Sequence, residues 1–466
     1  MQLKITQLRL IVLLLVLVLV SSGCGLKEGN SKAMQELNSP ITLRYWRVFD
    51  GKDAFDDIID AYRQLHPNVN IEYKKLRYDE YEQALLEAWA EDRGPDIFTI
   101  HNTWMAKYES KILPMPTMLE LPYAIERDSK TGEVSKADYR QTKTLTPIDV
   151  RNNFAEVVYG DVVRDNQIMG LPLSVDTLAL FYNRTALDNA QITKPPTTWL
   201  EVKEAVKKLT LQNEEGEIVQ AGIALGTAEN INRVADIVSL LMMQNGAQMT
   251  DGSGLKATFN APSVYSGDQN YRPGMEALRF YTDFALPSKE VYNWNENMSE
   301  ASEAFIQGKL AMMLGYAYQL PLIKTQGVKL NLGVAEVPHI NSNQTDALGN
   351  KVNMASYWVE VVAKKTAHES YAWDFIQFIN RDDQVIKYLS KVKKPTALRS
   401  LVNEQLADYD IRPFANQVLT AKSWYKGRQA TVVEDIFKKM ISVIIKGENT
   451  AEEAIDFAAS QVNRTF

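Results

Sequence analysis

The chain is poor in the residues that most often carry chemistry. One cysteine stands among 466 residues, so no internal disulfide can form. Four histidines lie scattered at positions 66, 101, 339 and 368, which leaves no basis for a zinc site of the usual Cys/His type. No Gly-x-Ser-x-Gly elbow, no phosphate-binding P-loop and no His-Glu-x-x-His pair occurs. Basic residues do not exceed acidic ones: 51 Lys and Arg stand against 58 Asp and Glu, a net charge of −7. That balance argues against nucleic acid as a partner, because phosphate binding needs a basic face. Internal repeats, heptads and low-complexity tracts are also lacking.

What remains is an ordinary globular composition, 45% hydrophobic and 23% charged, in a chain long enough for two or three domains. One apolar run stands out at the N-terminus. Lys4 and Arg9 precede Leu10 to Val20, and Ser21-Ser22-Gly23-Cys24 follows. The run is too short to span a bilayer, and its flanks are those of a signal peptide over residues 1–23. The small residues before the single cysteine resemble a bacterial lipobox, with Ser21 in place of its usual leucine. That resemblance implies acylation at Cys24 and a lipid anchor; an ordinary secretory signal cleaved near Gly23 is the other reading. Residues 24–40 are polar and read as a flexible tether.

From Ile41 onward strands and helices alternate. Ile41, Leu43 and Tyr45 alternate with polar residues as a strand does, and Phe55, Ile58, Ile59, Tyr62 and Leu65 follow at helical spacing. A second alternation at Val69 to Tyr73, a helix through Leu85 and Trp89, and a short apolar run from Asp96 to Ile100 complete a β-α-β-α-β unit. Such a unit implies a parallel sheet with right-handed crossovers, and ligands of such sheets sit beyond the carboxyl ends of the strands. That rule points to Phe49 and Asp50, and to His101, Asn102 and Trp104. Gly170 to Asn183, reading GLPLSVDTLALFYN, passes from a break through Asp176 into an apolar run suited to a buried strand.

This stretch, the loop Lys194-Pro195-Pro196-Thr197-Thr198-Trp199, the run Ala304 to Gly315, the strand Leu330 to Pro338 and the helix around Trp373 to Phe378 occur in an order that resembles the solute-binding proteins of ABC sugar importers. The resemblance covers residues 41–466. It implies an α/β fold of the periplasmic-binding-protein type II, with two discontinuous lobes around a ligand cleft and hinge crossovers. Residues 41–175 and 336–393 would form lobe 1; residues 176–335 and 394–466 would form lobe 2. It also implies a carbohydrate ligand, ABC permease subunits as partners, and a monomer anchored on the extracytoplasmic side of a cell membrane. No cofactor, metal or catalytic residue is implied.

A sugar site needs flat aromatics for the C–H faces and polar groups for the hydroxyls. The candidates are Phe49, Asp50, His101, Asn102, Trp104, Asp176, Trp294, Tyr316, Tyr318, Trp358, Trp424 and Arg428. Several have plainer readings: Asp50 as a helix N-cap, His101 and Asn102 as a solvated loop, Arg428 as a surface ion pair, and any one aromatic as core. Trp89, Trp199 and Trp373 read as structural. A polyamine or peptide ligand and a glycan hydrolase remain the alternative functions.

Overall fold

The computed structural model describes residues 30–264, 268, 270–341 and 351–466. Cys24 and the signal segment therefore lie outside the described residues. Two mixed sheets dominate. In the first, Val69–Leu76, Ile41–Val48 and Ile97–His101 run parallel, and Trp358–Ala363 joins antiparallel before Ile112–Leu113 closes the edge. The central strand Ile97–His101 is buried at every position, whereas Val69–Leu76 alternates buried and exposed, as an edge strand facing one core must. In the second sheet the order is Leu211–Gln212, Ile218–Ile223, Leu310–Gly315, Ala179–Asn183, Leu332–Glu336. Ala179–Asn183 is antiparallel to both neighbours, and Leu310–Gly315 is wholly buried.

Local chemistry explains the helices between these strands. Thr198 caps Trp199–Leu209 in a capping box with Glu201, and the face Trp199, Val202, Ala205, Val206, Leu209 goes inward. Thr146 and Thr450 do the same for Pro147–Asn153 and Ala451–Val462. Trp199 and Trp373 are buried in the core, and Trp89 packs edge-on against Phe98.

Three passages join the lobes side by side. Asp176–Thr177 pairs antiparallel with Asn353–Ser356, which pairs parallel with Ala421–Lys422, and Ser174 bridges Thr396. Gly170 starts the first passage because a Cβ there would lie 2.6 Å from the Glu360 carbonyl that Leu171 pairs with. The return passage differs from the sequence expectation at residue 336. Leu332–Glu336 still pairs with Ala179–Asn183, and His339 still bonds Thr197 and Trp199, so Pro338 ends a strand without changing lobe. The chain crosses back at Asn353–Trp358. The third passage also comes later than 394, since Ala397 and Leu398 still bond Ala155 and pair with Phe154.

The tether reading fails over its described part. Ser31–Asn38 is a helix capped by Asn30, and it packs on a hairpin of Met118–Arg127 with Val134–Lys143. Ala33 is buried against Val134 and Ala137, and Asn38 exchanges two hydrogen bonds with Val134. Polar composition hid this because only Ala33 is fully buried, with Met34 and Leu37 partly covered beside it.

Candidate functional site

A cavity of about 420 Å³ lies between the lobes, beside the passages. The first lobe lines it with rings. Phe49 follows the strand Ile41–Val48 in a three-residue turn, where the Asp50 N–H returns to the Val48 carbonyl at 2.9 Å. The turn puts Phe49 at φ 69°, a left-handed conformation that a bulky residue adopts at a cost of about 1–3 kcal/mol. Its ring stacks on Tyr78 (5.9 Å, 14°) and, across the cleft, on Tyr318 of the second lobe (6.5 Å, 14°). Trp358 stands edge-on to Phe49, Tyr78, His101 and Trp104.

The second lobe lines it with polar groups. Arg233, also left-handed at φ 58°, precedes the helix Val234–Gln244 and pairs with Asp236 and Glu434. Thr431, Glu434 and Lys438 come from one face of the helix Ala430–Ile445. One strained residue from each lobe thus faces the same space, as is common at ligand clamps.

Electrostatics set which groups are free. Burial works against a charge on Asp50, but Lys394 and Arg47 outweigh it and hold its carboxyl below the usual range. Both Asp50 oxygens are used, by Lys394 at 2.7 Å and by Arg47 and Tyr388 at 2.8 Å each. Burial, aided by Arg233, lowers His101 to about 3, so its ring is neutral between Thr103 and Ser356. Burial pushes Asp176 up to about 7 against the amides of Ala317 and Tyr318, with Lys394 also pulling it down.

Of the residues singled out in the sequence, Phe49, His101, Trp104, Asp176, Tyr318 and Trp358 line the cavity together. Six lie elsewhere. Asp50 sits behind the wall, tying Arg47 and Lys394. Asn102 is buried with its amide on Asp161 at 3.0 Å. Tyr316 is fully buried and donates to Asp236. Trp294 and Trp424 are core residues whose indole N–H groups donate to Asn230 and Ser239, because both loops fold inward over apolar neighbours. Arg428 is exposed, and its backbone bonds Thr465.

Sequence reasoning missed Arg47, Tyr78, Arg233, Lys394, Glu434 and Lys438. Tyr78 opens a helix just past the strand Val69–Leu76, so the strand-end rule would have found it had it been applied to that strand. Arg233 carries no such signal, since its left-handed cap is a property of the backbone.

The lining balances Arg47, Arg233, Lys394 and Lys438 against Asp176, Glu229 and Glu434, so the cavity has no acidic excess. Asp176 accepts three amide N–H groups, and Glu434 accepts from Arg233. Among the described residues no His/Cys/Asp/Glu group could hold a metal ion.

Known proteins share this architecture. The "Maltotriose-binding protein" of Pyrococcus abyssi is 21% identical over 348 residues, 72% of this chain and 61% of that protein's length. The "Multiple sugar-binding protein" of Streptococcus mutans is 19% identical over 412 residues, 87% of each. Among solved structures, the cyclic alpha-maltosyl-1,6-maltose binding protein of Arthrobacter globiformis superposes with a TM-score of 0.70 at 18% identity, covering 92% of this chain and 99% of that one. The family model for bacterial extracellular solute-binding proteins matches residues 50–386, and the chain belongs to that family.

Proposed function

We propose that this protein captures a carbohydrate, from a monosaccharide to a short oligosaccharide, between its two lobes and delivers it to an ABC permease. The observation that carries the reading is the composition of the cavity: stacking rings from both lobes, hydrogen-bonding groups around them, and balanced charge. A pyranose offers apolar C–H faces to the rings and hydroxyls to the polar rim. A polyamine would require an acidic excess that the lining lacks. The names of the relatives, which include maltotriose- and multiple-sugar-binding proteins, support the same class. Closure follows from differential affinity, because a ligand touching both lobes binds the closed state better than the open one. Acylation of Cys24 would hold this monomer on the extracytoplasmic face of a membrane, within reach of the permease.

A thermal-shift screen against mono-, di- and oligosaccharides, amino acids and polyamines tests the substrate class. A ligand at a hundred times its Kd stabilises by about 2.7 kcal/mol, a clear rise in Tm. Stabilisation by a sugar is the expected result. Stabilisation by a polyamine alone, or turnover of a glycan, would overturn it. Incorporation of labelled palmitate that Cys24→Ser abolishes is the expected result for the anchor.

A further inference from the structure

Asp176 lies where the chain first passes between the lobes, and its carboxyl is spent on backbone. Oδ1 accepts the N–H of Thr177 at 2.9 Å and that of Ala317 at 3.0 Å; Oδ2 accepts the N–H of Tyr318 at 3.1 Å. Ala317 and Tyr318 begin the turn Ala317–Gln319, immediately after the strand Leu310–Gly315. The first amides of any helical turn lack partners within it and need an outside acceptor. Here a single side chain on a lobe crossing supplies both. The same turn carries the Tyr318 ring, parallel to Tyr316 at 6.1 Å and to Phe49 of the opposite lobe at 6.5 Å.

We propose that Asp176 is a positioning residue for cleft closure: its carboxylate clamps the Ala317–Tyr318 turn and holds the Tyr318 ring against the first lobe, and its protonation releases that turn. The inference rests on the cleft being the ligand site and adds a pH-sensitive control to it. A carboxylate accepts at both oxygens, whereas a protonated carboxyl turns one of them into a donor that opposes the amides.

The surroundings leave Asp176 well placed for this role. Lys394, just before the Ser174–Thr396 bridge, acts on it electrostatically and is engaged by Asp50 at 2.7 Å. Tyr316 and Tyr318 on the clamped turn are both raised, first by burial, and stay neutral through the neutral range. His101 in the cavity wall, lowered by burial to about 3, stays neutral across this range, and Ser356, the backbone partner of Asp176, does not titrate. Arg47, Arg233, Glu229, Glu434 and Lys438 line the same cavity, and each sits in an ion pair. Burial brings Asp176 itself to about 7.

The test needs no ligand, so its failure is distinct from a failure of the carbohydrate reading. With selective amide labelling of alanine and tyrosine, the Ala317 and Tyr318 resonances of the ligand-free protein are followed from about pH 8 to about pH 5. Both should move with one midpoint near 7, and tryptophan fluorescence, reporting Trp358 beside Phe49, should follow it. In Asp176→Asn both responses should vanish. Tyr318→Ala, which leaves the clamp intact, should keep the Ala317 titration and lose the fluorescence change. Resonances that do not move, or that move identically in Asp176→Asn, would overturn the proposal.

Discussion

At the residue scale, burial decides what a side chain can do, and it separates groups that look alike in sequence. Trp424 and Trp358 each stand next to a tyrosine and near a serine, yet Trp424 packs on Phe259 and Phe437 with its N–H on Ser239, while Trp358 faces the cleft. Trp424→Ala should therefore cost about 3–5 kcal/mol of stability in urea unfolding; a loss below about 1 kcal/mol would contradict its placement in the core. Asp176 makes a signed prediction. Its folded pKa of about 7 lies above the ordinary 3.8, so between those values the folded state keeps a proton the unfolded state has lost. Its contribution is fully present below 3.8 and is lost as pH rises through about 7, by up to about 1.4 kcal/mol per pH unit. Comparing unfolding free energies of the native protein and Asp176→Asn across that window checks the sign: the native protein should lose stability faster as pH rises.

At the element scale, the passages between lobes are held by one buried acid. Asp161 accepts from Asn102 at 3.0 Å, Tyr357 at 2.6 Å, Ser423 at 2.5 Å and Lys426. Asp161→Ala should destabilise by about 3–5 kcal/mol, because it strands a half-buried lysine and three polar groups; chemical denaturation measures it. The N-terminal helix Ser31–Asn38 is the other element with a clear test. Asn38→Ala removes two hydrogen bonds to Val134 and should cost about 1–2 kcal/mol. Strands and long helices were legible in the sequence because their periodicity is long and one-sided, as in Ile41–Val48 and Trp199–Leu209. The hairpin of residues 118–143 and the helix before it were not. They meet over Ala33, Val134 and Ala137, with Met34, Leu37, Ala124 and Tyr139 only partly buried around them, so the apolar pattern is weak.

At the scale of the whole molecule, two sheets joined by three adjacent passages form two lobes that share one cavity. The order of the sequence motifs made this architecture legible. The strand-end rule brought Phe49, His101 and Trp104 to the cleft, and the passage brought Asp176. Arg233 and Lys438 stayed hidden, because a site between lobes is assembled from elements some two hundred residues apart and only tertiary structure brings them together. On the proposed reading, rings from both lobes grip one sugar. Isothermal titration of the sugar that raises Tm most, into the native protein, Tyr78→Ala and Tyr318→Ala, tests it directly. Both side chains are half exposed, so the fold should survive each change. Affinity should fall about tenfold or more in each variant, about 1.4 kcal/mol. An unchanged Kd in either one would show that the ligand is held by a single lobe, or somewhere else.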